Sequence, residues 1–211
     1  ASYINVNQEA ESVEIIPVFI GRGSTILYVG GNGEGNYTSI QDAIDNASNG
    51  DTVFVFNDSS PYYENLVVNK SINLVGENRN TTVIDGGGND SVILIDNYGF
   101  YITINGFTIQ NSGTDDESHS GIQIEYRSAE IYIFNNIIMS NNNGVYLFCT
   151  VLCTIKNNII TSNENGISCG GWRMVGESYE TTISNNIISN NRYGIHCYMY
   201  FSYNNISNNI I

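Results

Sequence analysis

The fold class predicted for this chain is all-β: a right-handed parallel β-helix, or solenoid, with an N-terminal capping α-helix. Three observations carry it. The phrase Asn-Asn-Ile-Ile followed by Gly and a β-branched residue recurs, as Asn135-Asn136-Ile137-Ile138 with Gly144-Val145, Asn157-Asn158-Ile159-Ile160 with Gly166-Ile167, and Asn185-Asn186-Ile187-Ile188 with Gly194-Ile195. The first Asn precedes the Gly by 9 residues in each copy, and the copies begin 22 and then 28 residues apart, which is one period and one period with a loop of 6. Finally, Ile102, Ile133, Ile155 and Ile183 before the Asn positions, and Ile122, Val145, Ile167 and Ile195 after the Gly, would stack as apolar ladders facing one interior. A fixed period near twenty residues, built from short apolar pieces and turn residues, marks stacked units that share a core.

Residues 1–36 read as an N-terminal extension. Within it Val13, Ile15 and Val18 belong to a strand-like run, and Pro17 confines that run to an edge or a bulge. Such a strand is expected to add to a neighbour's sheet during assembly. A Gly-rich hinge follows from Gly30 to Gly35, and then the one convincing helix, over about 38–49. Thr38 or Ser39 is its N-cap, Ile40, Ala43, Ile44 and Ala47 have helical spacing, and Gly50 ends it. It has the size and amphipathicity to plug one end of a core. After Asp51 the apolar period becomes 2, with short strands opening at Val53, Val67, Ile72, Val83 and Val92. A single β-helix domain over 37–211 then holds roughly seven or eight coils, which at ~4.8 Å per coil span about 35–40 Å.

The Asn column has a physical reason. Bends between parallel strands use left-handed backbone conformations, which Asn tolerates better than any residue but Gly. Stacked Asn side chains also hydrogen-bond up and down the stack. Gly144, Gly166 and Gly194 are expected to supply the other tight bend.

Composition narrows the function classes. With 7 Lys+Arg against 21 Asp+Glu the formal charge is −14, so the chain repels phosphate backbones and nucleic acid is excluded as a natural partner. Only 13% of residues are charged, which leaves Asn, Ser, Thr and Tyr to solvate the surface. No apolar run is long enough for a membrane span. Sequons at Asn36, Asn46, Asn57, Asn69, Asn80, Asn89 and Asn205 are glycosylation candidates. Six of them precede residue 90 although the Asn-densest region lies after 130, which points to a secreted, extracellular cell-surface address. Ala1-Ser2-Tyr3 is expected to be a mature N-terminus left by signal cleavage. Asn208-Asn209-Ile210-Ile211 stops inside a repeat, for which truncation, further residues or coverage by another copy are the open readings.

Ser39-Ile40-Gln41-Asp42-Ala43-Ile44, Gly50-Asp51-Thr52-Val53, Tyr63-Glu64-Asn65, Lys70-Ser71-Ile72, Leu74-Val75-Gly76 and Thr82-Val83-Ile84-Asp85-Gly86 resemble the opening of right-handed parallel β-helix proteins of the pectin-lyase-like superfamily. The later Asn-Asn-Ile-Ile units resemble the repeats of archaeal and bacterial surface proteins. The superfamily includes lyases, hydrolases, adhesins and structural modules, so the resemblance implies the fold more than a task. Polygalacturonase-like members carry separated Asp motifs, a Gly-His-Gly and an Arg-x-Lys. Here Asp115-Asp116 is the sole Asp pair, the nearest His lies in Ser118-His119-Ser120, and no Arg-x-Lys occurs. Lyase-like members pair a Ca²⁺ cluster with a basic residue, whereas Arg127, Lys156, Arg173 and Arg192 stand alone. The comparison leans away from an enzyme and assigns no catalytic residue.

Two insertions are the places for chemistry. Asp115, Asp116 and Glu117 could offer Ca²⁺ three carboxylates, against the blander reading of a solvated acidic loop. Trp172 on a Gly-rich loop, with Tyr198, Tyr200 and Tyr203 near the C-terminus, could stack on a sugar or a neighbouring subunit. Cys169 and Cys197 both lie three residues after the repeat Gly and should face inward as a stacked thiol pair, with a disulfide between turns left open. Cys149 and Cys153 flank one turn. His196-Cys197 with Met199 suggests copper as a lesser reading, encouraged by β-helix proteins linked to copper enzymes. The expected function is a secreted structural or interaction protein of a cell surface, sheath or filament, forming a homo-oligomer or polymer through open β-helix ends and its aromatic surface. The alternative is a carbohydrate-active enzyme or glycan-binding module meeting surface glycans.

Overall fold

The computed structural model describes residues 23–96, 100–125, 128–170, 178–198 and 201–211. The expected assembly strand at Val13, Ile15 and Val18 lies outside them. Within them the chain winds into a right-handed parallel β-helix with three faces, sheets of eight, six and six parallel strands. One coil takes a strand from each face; the fourth coil, for example, is Ala129–Phe134, Ile137–Met139 and Asn143–Phe148. Six coils are complete, fewer than the seven or eight expected. Loops and the cap helix use up residues that a division by the period assigns to coils. The eight-stranded sheet carries two further rungs, Ile26–Val29 and Asn205–Ser207. The first rung precedes residue 37, where the sequence suggests that the β-helix starts.

The core is a set of vertical ladders made by strict alternation. Leu74, Ile104, Ile133, Ile155 and Ile183 stack on one face. Ile84, Ile109, Ile138, Ile160 and Ile188 stack on the second, and Ile93, Ile122, Val145, Ile167 and Ile195 on the third. Ile102 pairs with Ile131, so it stands one position of the pleat away from the ladder that the repeat phrase suggests.

Each Asn-Asn pair divides the labour. The first residue makes the bend: Asn135, Asn157, Asn185 and Asn208 have φ of 56°, 57°, 56° and 55°. The second turns inward and builds a buried amide ladder. Asn136 Nδ2 donates to Asn158 Oδ1 (3.2 Å), Asn158 Nδ2 to Asn186 Oδ1 (3.1 Å), and Asn186 Nδ2 to Asn209 Oδ1 (2.9 Å). Asn141, Asn163 and Asn191 form a second ladder at the next corner, with contacts of 3.2 and 3.0 Å. That corner corrects the expectation for the glycines. Its left-handed residues are Ser140, Ser162 and Asn190 (φ 58°, 59° and 57°), while Gly144, Gly166 and Gly194 lie within strands. Glycine is needed there for space, since a Cβ on Gly144 would meet the Gly166 carbonyl oxygen at 2.5 Å.

The helix Ile40–Asn46 covers the N-terminal end of the core, burying Ile40, Ala43 and Ile44, and stops three residues short of the expected end. Ser39 is its N-cap. The carboxylate of Glu64 accepts from Ile40 N (2.8 Å), Gln41 N (2.9 Å) and Ser39 Oγ (2.9 Å). At the other end Lys70 Nζ donates to the carbonyls of Ile44 (3.0 Å), Asp45 (2.5 Å) and Ala47 (2.9 Å). Negative charge at the helix start and positive charge at its end both oppose the dipole.

Candidate functional site

One surface site built from several elements lies on the N-terminal coil. In Ile26–Val29 and Thr52–Val55 alternate residues Val29, Val53 and Val55 are buried, which turns Tyr28, Phe54 and the following Phe56 outward. Tyr28 and Phe54 are register partners, and their rings meet edge-on at 6.0 Å. Tyr28 and Phe56 stack at 5.9 Å with planes 22° apart, and Phe54 closes the trio edge-on to Phe56 at 5.1 Å. The Gly30-Gly31 turn passes over this platform with φ of 73° and 71°, and a Cβ on Gly31 would lie 2.8 Å from the Phe56 ring. Beside Tyr28 and Phe56 opens a depression of about 600 Å³, lined by these two rings and by Glu34, Asp58, Glu77 and Asn36. Both Asp58 carboxylate oxygens accept from Gly31 N at 3.0 Å, Glu77 accepts from Asn57 N at 3.0 Å, and Asn36 Nδ2 donates to Gly30 O at 2.6 Å. The polar groups are thus held in place around an apolar floor. The signal was in the alternation of Leu27-Tyr28-Val29 and Val53-Phe54-Val55-Phe56, but their meeting depends on the register of two strands on either side of a helix.

The acidic insertion is arranged differently from a Ca²⁺ site. Asp115, Asp116 and Glu117 are exposed and do not converge, and among the described residues no group of three or more His, Cys, Asp or Glu could hold a metal ion. Asp116 accepts from Ser118 Oγ (2.6 Å) and Ser118 N (2.8 Å), and these bonds lower its pKa. Asp115 instead faces His119, whose Nδ1 lies 3.0 Å away but out of hydrogen-bonding line, and His119 Nε2 lies 3.3 Å from Asp90 Oδ1 on the coil before. His119 therefore sits between two exposed carboxylates at the edge of a shallow depression.

Of the aromatic candidates, Trp172 and Tyr200 lie outside the described residues, as does Met199. Tyr198 is half exposed and packs its ring 4.4 Å from His196, which in turn lies 5.6 Å from Tyr193; Tyr203 is almost fully exposed. Ring and imidazole thus form one row on the outer face of the last coil. Of the sequons, Asn46, Asn69, Asn80, Asn89 and Asn205 are exposed. Asn36 and Asn57 are half-buried with engaged amides, Asn57 Nδ2 donating to Thr81 Oγ1 at 2.9 Å.

Cys169 and Cys197 are register partners, continuing the ladder of Ile95, Ile124 and Leu147, and their sulfurs are 3.2 Å apart. Cys169 is buried and Cys197 exposed. Cys153 is buried, which pushes its thiol up to about 12.

Three stacked parallel sheets around one ladder core define a right-handed parallel β-helix. Residues 44–211 match the family described as "Periplasmic copper-binding protein (NosD)", and the chain belongs to that family. Among solved structures it is similar to a pectin methylesterase from carrot, with 14% identity and a TM-score of 0.41 over 92% of this chain and 85% of that chain. No curated protein matches it in sequence.

Proposed function

We propose that this chain is an exported β-helix binding module that holds a neutral glycan against the aromatic platform of its N-terminal coil. The periplasmic description of its family and the exposed sequons support export. The observation that carries the ligand class is the stacked pair Tyr28–Phe56, backed by Phe54, beside Asp58, Glu77 and Asn36. Sugar rings offer C–H faces to aromatic rings and hydroxyls to carboxylates and amides, so a floor of rings with a rim of fixed acceptors suits them. Glu34, Asp58 and Glu77 repel uronates, which makes a neutral or amino sugar the fitting kind. Calorimetric titration with neutral and amino-sugar oligosaccharides tests this. Binding that weakens about tenfold or more in Tyr28→Ala, for a loss of about 1.4 kcal/mol, is expected. Binding indifferent to both Tyr28→Ala and Phe56→Ala, or absent for every such sugar, would refute it.

The second reading is a surface or sheath protein that self-associates, supported by the Tyr193–His196–Tyr198 row and the exposed Tyr203. Sedimentation over a range of concentrations separates the two, since growth in mass abolished by Tyr198→Ser favours self-association.

Copper, in the family's description, asks for soft or imidazole donors. Among the described residues the donors that the sequence brings together are Cys169, Cys197 and His196, and these three do not fit a copper site. His196 alternates with Cys197 along the strand and packs among outer-face rings, away from the thiols. The sulfurs are 3.2 Å apart. With ~2.3 Å per metal–thiolate bond, an in-line metal needs a separation of ~4.6 Å.

A further inference from the structure

The thiol pair in the last two complete coils fits another chemistry. Cys169 and Cys197 occupy directly paired positions on neighbouring parallel strands, with both side chains on the ladder side of the sheet. Strand spacing of about 4.8 Å falls inside the Cα separation that a disulfide spans, about 4.4–6.8 Å. The sulfurs, at 3.2 Å, are already within attack distance of one another. The two environments are unequal. Cys197 is exposed and can be reached from solvent, whereas Cys169 is buried beneath it.

We infer that Cys169 and Cys197 form a redox-active dithiol that closes to a disulfide between adjacent coils, with a small disulfide compound as oxidant. The chemistry divides between the two sulfurs. Cys197, as thiolate, attacks one sulfur of the oxidant; a Cys197–sulfur bond forms and one thiolate leaves. Cys169 then loses its proton, attacks the Cys197 sulfur and expels the second thiolate. Two protein thiols are oxidised by two electrons, and the oxidant, reduced to two thiols, takes up the two protons. The hydrogen bond between the thiols favours this order. The contact with Cys169 pulls the Cys197 thiol down, while the contact with Cys197, together with burial, pushes Cys169 up. Closure pins the last complete coil to the one before it, across a span of 28 residues.

The test uses the whole chain, reduced, freed of reductant and exposed to glutathione disulfide. After an acid quench and alkylation in denaturant, intact mass and peptide mapping count the surviving thiols. The expected product has lost two hydrogens, carries alkyl groups on Cys149 and Cys153, and yields one cross-linked peptide joining Cys169 to Cys197. Cys197→Ser is expected to retain the other three as free thiols, and Cys169→Ser to stop at the mixed disulfide on Cys197. Alkylation of all four cysteines in the exposed wild-type chain would overturn the inference, as would a cross-link through Cys149 or Cys153. One Cu(I) ion per reduced chain, lost in Cys197→Ser and protecting the pair from oxidation, would make it a metal site instead and overturn it equally. Sugar binding at the N-terminal coil is read separately, so failure of one proposal leaves the other standing.

Discussion

The side chain of Asn158 makes five hydrogen bonds: Oδ1 accepts from Asn136 N and Asn136 Nδ2, while Nδ2 reaches the carbonyls of Ile133 and Lys156 and passes on to Asn186 Oδ1. Such a ladder is stabilising only when complete, because the amides of Asn136, Asn158 and Asn186 are buried and have no water to fall back on. Asn158→Leu keeps the volume and strands the backbone N–H of Asn136, whose side-chain amide still reaches the carbonyls of Ile104 and Phe134. It is expected to destabilise the chain by about 1–3 kcal/mol, the cost of one unsatisfied buried group. Urea denaturation followed by circular dichroism measures this, and a loss under about 0.5 kcal/mol would show that the ladder is not a stabilising network. The neighbouring Asn157 is replaceable by Gly with little change, since its task is the left-handed bend at φ 57°.

At the scale of elements, the cap helix has only seven residues and owes its persistence to the coils beneath it. Lys70 joins its last carbonyls to the stack through three hydrogen bonds. Lys70→Met, which keeps the stem and removes the donors, is expected to cost about 1.5–3 kcal/mol and to speed amide exchange at Ala43 and Ala47 before it affects the central coils. Unchanged exchange in the helix would argue that packing alone holds the cap. Asp51 joins the first rung to the turn after the helix, accepting from Thr25 N and Ser48 N at 2.8 Å each. Burial works against its charge, but those backbone donors outweigh it and the pKa is lowered. A lowered carboxylate pKa means stability that is complete above the unfolded value near ~3.9 and is lost as pH falls through the folded value. Below about pH 4 the wild type should therefore lose stability more steeply than Asp51→Asn, in thermal melts from about pH 5 to 2. Parallel curves would remove Asp51 as the cause.

The described coils form a one-dimensional stack, in a chain whose 211 residues carry a net charge of −14. Each coil touches mainly the ones above and below, so unfolding is expected to spread from an end rather than to occur at once. Like charges on such a rod repel. Raising salt from about 0.01 to 0.15 M shortens the screening length from ~30 to ~8 Å and should raise the melting temperature. A fall would mean that favourable ion pairs, such as Arg192 with Glu164, outweigh the repulsion.

Residue order was enough for the fold and its bends because those depend on local rules. Alternation places Ile133, Ile155 and Ile183 inward, and left-handed turns select Asn135, Asn157 and Asn185, whatever lies across the stack. The sites obey a different rule. Tyr28 meets Phe56, His119 meets Asp90, and Cys169 meets Cys197 because residues 28, 29 and 28 apart land on neighbouring rungs. That landing depends on loop lengths within each coil, which alter the period without changing the strands. The acidic run shows the converse: Asp115, Asp116 and Glu117 are adjacent in the chain, yet their carboxylates diverge, because a turn sends successive side chains to different partners. Periodic burial was legible residue by residue, while chemistry waited on the register between coils.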